Sequence, residues 1–120
     1  LSDRVVFTGY IEDDDVVFLM NGAEAFCFPS LYEGFGMPPL EAMACGVPVI
    51  VSDTSSLPEV VGDCGISVDP YNVTELSDAL IRMTDRDFNE KQRAAGIERA
   101  KTFSWEKSAE LLKALLEELV

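Results

Sequence analysis

At 120 residues, 48% hydrophobic and 26% charged, the chain has the size and composition of one ordinary globular domain. Its formal net charge of −13 argues against a nucleic-acid or anionic-membrane surface, since both need clustered Lys and Arg. No apolar run approaches the length that spans a bilayer, and no signal-peptide pattern opens the chain. With only 9 Lys and Arg, a phosphate-bearing ligand would have to be neutralised by backbone amides or by cations outside these residues.

In chain order, short apolar runs alternate with helical patterns, the signature of an α/β protein with a parallel, Rossmann-like sheet. The first residue is Leu1 rather than Met, as expected of an excerpt or a processed piece. Residues 4–8 (RVVFT) read as the first of about four strands. Asp13 opens a helix whose Val16, Val17, Leu19 and Met20 lead to a stop at Asn21 and Gly22. Residues 25–29 (AFCFP) form the second expected strand. A helix runs from about Pro38 to Cys45, with its prolines tolerable only at the front and Gly46 stopping it. Residues 48–52 (PVIVS) and 65–69 (GISVD) are the third and fourth strands; residues 25–29 and 48–52 are nearly continuous in β-prone residues, as expected where helices cover both faces.

Helix starts are marked by capping-box spacing at Ser56 with Glu59, Asn72 with Glu75, and Asp87 with Glu90. Ser104 and Trp105 begin a last helix with apolar residues at Ala109, Leu112, Leu115, Leu116 and Leu119, which predicts a buried stripe. The last two helices, residues 87–120, have no strand after them and should pack across the sheet or reach toward another domain. Asp13, Asp14 and Asp15 suit a helix N-terminus better than a metal ion. Cys27, Cys45 and Cys64 match neither a disulfide framework nor a metal spacing, so they read as small buried thiols in a reducing, cytoplasmic setting.

The chemistry gathers in one segment, Glu33-Gly-Phe-Gly-Met-Pro-Pro-Leu-Glu41. It joins a strand end, a glycine-containing loop and a helix N-terminus, at the sheet edge where open α/β folds bind ligands. Gly34 and Gly36 let a ligand approach the backbone. Free amides and the helix dipole favour an anion across residues 34–40. Glu33 and Glu41 would repel phosphate but suit hydroxyl groups. Carboxylates flanking an anion site describe a sugar nucleotide. Taken singly, either Glu is more often solvated than bound, and Gly34-Phe-Gly36 alone is weak; the combination carries the reading.

Residues 28–52 (FPSLYEGFGMPPLEAMACGVPVIVS) resemble the donor-binding motif of the GT-B glycosyltransferases, in the retaining family with two Glu separated by seven residues. The similarity continues through residues 52–63, Val68-Asp-Pro70 and Phe103-Ser-Trp-Glu106, and so covers essentially the whole chain. It implies that Glu33 holds donor-sugar hydroxyls near the anomeric carbon and that amides of Gly34, Phe35 and Gly36 contact sugar and phosphates. It places Met37 and Leu40 near the nucleotide and Glu41 on the ribose. It implies retaining hexosyl transfer from a nucleoside-diphosphate sugar, without metal or cofactor.

The same resemblance implies that residues 1–120 are the C-terminal part of a nucleotide-sugar-binding domain lacking its first two βα units, whose Gly-Arg and Lys would grip the diphosphate. The acceptor-binding N-terminal domain would be a missing partner, and any peripheral membrane association would belong to the parent protein. In the family's strand order, 3-2-1-4-5-6, residues 4–8 lose their neighbour. Three outcomes are then expected: this strand pairs with residues 25–29, two copies join through exposed sheet edges, or the piece was cut from a longer chain. The segment alone is expected to be inactive. The alternatives are a catalytically inactive half-domain, or an engineered self-associating piece that keeps the motif only by descent. A receiver-like signalling module fits the α/β pattern but not the residues, for the chain lacks its strand-end Asp pair with downstream Thr and Lys.

Overall fold

The computed structural model describes residues 2–119, so Leu1 and Val120, the ends of the expected domain and of its last helix, lie outside the described residues. The described elements are, in chain order, α1 (Asp13–Gly22), β1 (Phe26–Phe28), α2 (Met37–Ala44), β2 (Val49–Ser52), α3 (Leu57–Val61), β3 (Ile66–Val68), α4 (Val73–Arg82), α5 (Arg86–Ala100) and α6 (Trp105–Glu118). Among the described residues the sheet has three strands in the order β1-β2-β3, all parallel, with Cys27 opposite Ile50 and Ile50 opposite Ile66. This is the expected α/β, Rossmann-like architecture.

Strand alternation sorts the core into two layers. Val49 and Val51 point to one face, with Met43, Val47, Leu57 and Val60. Ile50 points to the other, with Val68, Ala79 and Met83. All four residues of β2 are buried, whereas β1 is only partly covered because it is the sheet edge. The three cysteines are free and partly buried. Burial pushes the thiols of Cys27 and Cys64 up, and Arg99 pulls Cys64 partly back.

Expectations for residues 4–8, for α5 and for α6 need correction, as does the capping box at Ser56, whose hydroxyl makes no bond to α3. Residues 4–8 form no strand among the described residues, so they do not pair with β1. An isolated strand has no ladder to satisfy its amides, and here Val6 and Phe7 are left 83% and 94% exposed. The helix expected to be capped at Asp87 starts earlier: Asp85 accepts from the Phe88 amide, 2.8 Å, and Asp87 falls in the first turn. The last helix does begin at Ser104, whose hydroxyl accepts from the Lys107 amide, but its stripe is not buried. Among the described residues none of α6 is buried, and Trp105 is 78% exposed.

The helix that does pack is α5. Gly96 lies against Met43 of α2, where a Cβ would sit 3.3 Å from the Met43 Cγ. Its polar side chains serve carbonyls at the ends of four other helices, groups that a helix cannot satisfy itself. Arg93 donates to Ala23 O after α1 and to Gly46 O after α2, at 2.7 and 2.9 Å. Arg99 donates to Glu59 O and Val60 O in α3, and Asn89 to Met83 O after α4. Cations at helix C-termini also meet the negative end of the dipole. Two of the chain's few guanidinium groups are thus structural.

Asp13, Asp14 and Asp15 occupy the first turn of α1, the favoured end for carboxylates. Among the described residues no group of three or more His, Cys, Asp or Glu is placed to hold a metal ion, and no helix is long and apolar enough to cross a membrane.

Candidate functional site

The turn between β1 and α2 is fixed by its backbone. Gly36 caps α2 with φ +107°, a left-handed conformation that side chains rarely adopt. A Cβ there would stand 2.8 Å from Leu57 Cδ2, because the first residue of α3 packs directly on the turn. Glycine is required twice over, by conformation and by space. Pro38 and Pro39 follow in the first turn of α2 and have no N–H. The Leu40 amide donates to Gly36 O at 3.4 Å. The amides this segment has to offer an anion are therefore those of Gly34, Phe35, Gly36 and Met37, more loop than helix.

Glu33 is partly buried in this loop and held at two points, its carboxylate and its amide. Its Oε1 accepts from the Ser30 hydroxyl at 2.8 Å. Its amide donates to Ser55 Oγ at 3.1 Å. The Ser56 hydroxyl reaches Glu33 O at 3.2 Å and Phe35 O at 2.7 Å, and the shorter bond takes its single hydrogen. Ser56 stands at the cap position of α3 without capping it, since its side chain faces the neighbouring loop instead. Thr54 Oγ1 adds longer contacts to Ser30 O and Leu31 O, 3.5 and 3.4 Å.

Phe35, Met37 and Leu40 face a different space. With Phe103, Ser104, Trp105 and Ser108 they line an open, mainly apolar groove of about 460 Å³. Phe35 meets Phe103 edge-on at 5.8 Å, and the Arg99 guanidinium lies 5.1 Å over the Phe103 ring. The turn thus has a polar side built around Glu33 and an apolar side built on Phe35. Glu41 belongs to neither group and stands exposed in α2.

Thr54, Ser55, Ser56 and Phe103 carry this geometry; the sequence presents Ser56 only as a helix cap and Phe103 only within a block of similarity, and it assigns Thr54 and Ser55 no role of their own. A run of three hydroxyl residues at the carboxyl end of β2 was the available signal, because such side chains hydrogen-bond backbone where no ladder does.

Comparison with known proteins follows the same residues. The chain matches the family described as "Glycosyl transferases group 1" over residues 1–117. It is 48% identical to the O-antigen chain mannosyltransferase B of Escherichia coli over 101 residues, 83% of this chain and 26% of that protein. It is 37% identical to the MMP alpha-(1->4)-mannosyltransferase of Mycolicibacterium hassiacum, across 100% of this chain and 30% of that one. Among solved structures, sucrose-phosphate synthase from Thermosynechococcus elongatus superposes with a TM-score of 0.85 at 34% identity, covering 98% of this chain and 30% of the other. The chain therefore spans under a third of the length of each of these relatives.

Proposed function

The chain belongs to the group 1 glycosyl transferases, and from that premise we propose that it supplies part of the donor site for retaining transfer of a hexose from a nucleoside-diphosphate sugar. The observation that supports this reading best is the Glu33 turn: a carboxylate held in place beside loop amides at the carboxyl end of a parallel strand. Glu33 takes the donor-sugar hydroxyls near the reacting carbon. Amides of Gly34, Phe35 and Gly36 take sugar and phosphate oxygens, Met37 and Leu40 lie near the nucleotide, and Glu41 binds the ribose hydroxyls.

In the reaction, the bond from the anomeric carbon to the diphosphate breaks and the diphosphate leaves with the electron pair. The acceptor oxygen then bonds on the same face and gives its proton to the leaving phosphate. The loop amides stabilise the departing charge without reorganising, which is where electrostatic preorganisation acts. Arg93 and Arg99 are engaged on carbonyls; the reading takes the remaining positive charge from the Gly-Arg and Lys of the units outside residues 1–120, and it needs no metal. The acceptor is held by a part of the protein beyond this chain, which leaves the segment inactive alone.

Isothermal titration with GDP-mannose and UDP-glucose tests the proposal. Binding is expected for at least one, with Glu41→Gln weakening sugar nucleotide and bare diphosphate alike and Glu33→Gln weakening only the sugar nucleotide. Absence of heat with every sugar nucleotide overturns it. One observation favours a second reading, a self-associating half-domain without turnover: Val6, Phe7, Tyr10 and Phe18 are large apolar side chains left exposed near the start of the chain. A concentration-dependent dimer in sedimentation, unaffected by sugar nucleotide, would support that reading.

A further inference from the structure

We propose that Ser30 and Ser55 are positioning residues that set the Glu33 carboxylate before any ligand arrives, an inference that rests on the donor-site reading above. Ser55 is the only non-glycine residue with positive φ among the described residues, at +53°. A serine in that region is strained by about 1 kcal/mol or more, and such strain persists only where surrounding structure enforces it.

The Ser55 hydroxyl oxygen faces the neighbouring loop and accepts the Glu33 amide at 3.1 Å, across a sequence separation of 22. The next residue, Ser56, turns its hydroxyl away from capping α3 and donates to Phe35 O at 2.7 Å. Leu57 then packs on Gly36. Three consecutive residues, the last two of the β2–α3 connection and the first of α3, therefore grip three positions of the Glu33 loop. The backbone of Glu33 is fixed by Ser55. Its carboxylate is fixed from the other end, by the Ser30 hydroxyl at 2.8 Å on Oε1.

The chemistry follows from that geometry. With Ser30 on Oε1, Oε2 keeps its full acceptor capacity for a sugar hydroxyl, and the side-chain torsions of Glu33 are settled in advance. Ordering a free glutamate on binding costs rotamer entropy that these serines remove. The effect concerns the sugar alone, because the diphosphate is held by other groups.

The chain and its variants are titrated with GDP-mannose and UDP-glucose, and with GDP and UDP lacking the sugar. Ser30→Ala and Ser55→Gly should weaken the sugar nucleotide about tenfold, the loss of one charge-assisted or positioning bond, and change the bare diphosphate less than about threefold. Glycine at position 55 keeps the left-handed backbone, so that variant folds. Ser30→Thr, which keeps the hydroxyl, should restore binding. Hydrogen exchange of the Glu33 amide should accelerate about tenfold in Ser55→Gly without ligand.

Equal weakening of sugar nucleotide and diphosphate would mean a merely structural role and overturns the proposal. So does an unchanged affinity in both variants while Glu33→Gln still loses the sugar, which leaves the donor-site reading intact. A wild-type chain blind to all four ligands overturns the donor-site reading itself, and the positioning role with it.

Discussion

Helices α5 and α6 are nearly the same length, 15 and 14 residues, and each opens on a side-chain cap. They are otherwise opposites. α6 carries the apolar stripe that a sequence reader expects to find in a core, and it is exposed along its length. α5 has no such stripe and is the helix most thoroughly joined to the rest, through Gly96 against Met43 and through Asn89, Arg93 and Arg99 on other helices' carbonyls. Amphipathic spacing states that a helix needs an apolar partner but does not say where that partner is. Small and polar residues can fasten a helix just as firmly when the surface opposite offers unpaired backbone.

Substitutions can break or sharpen this contrast. The largest effect should come from Asn89→Ala. Asn89 is 4% exposed, donates to Glu24 O and Met83 O, and accepts from Arg93 Nε. Leaving those groups unpaired should cost about 3 kcal/mol and lower Tm by roughly 10 °C in calorimetry. Next comes Ser104→Ala, which removes the cap of α6 and should cost about 1 kcal/mol of local helicity. Hydrogen exchange should show it in α6 amides while β2 stays protected. Smallest should be Leu112→Ala and Leu116→Ala, within about 0.5 kcal/mol in denaturant titration, since both side chains are more than half exposed. A loss of about 2 kcal/mol there would show that α6 is covered in solution and would end the contrast.

The same division governs what could be read from residues alone. The apolar run of β2, the start and stop of α1, and the caps at Asn72 and Ser104 are local features and appear where expected. The cap of α5 does not. Asp85 and Asp87 both offer a carboxylate, and it is Asp85 that accepts from the Phe88 amide, while Phe88 and Asn89 reach the core beside Met83. Residues 4–8 have a strand's composition, but pairing is a property of neighbours.

At the site, the turn from Glu33 to Gly36 is legible through its combination of carboxylate, glycines and strand–helix junction, since each of these alone has many other uses. Ser55 is not. Nothing in a serine announces a left-handed backbone, and its value depends on a loop 22 residues away.

The bonds that join α5 to the rest carry a consequence for the order of folding. Those made by Arg93 and Arg99 span sequence separations of 39 to 70 residues, from Arg99 to Val60 and from Arg93 to Ala23. Contacts that close such long loops are entropically late. The sheet and the helices before α5 must assemble with their terminal carbonyls still facing water, and α5 then closes over them as a latch. Removing the Arg93 guanidinium should accordingly hasten unfolding much more than it slows folding.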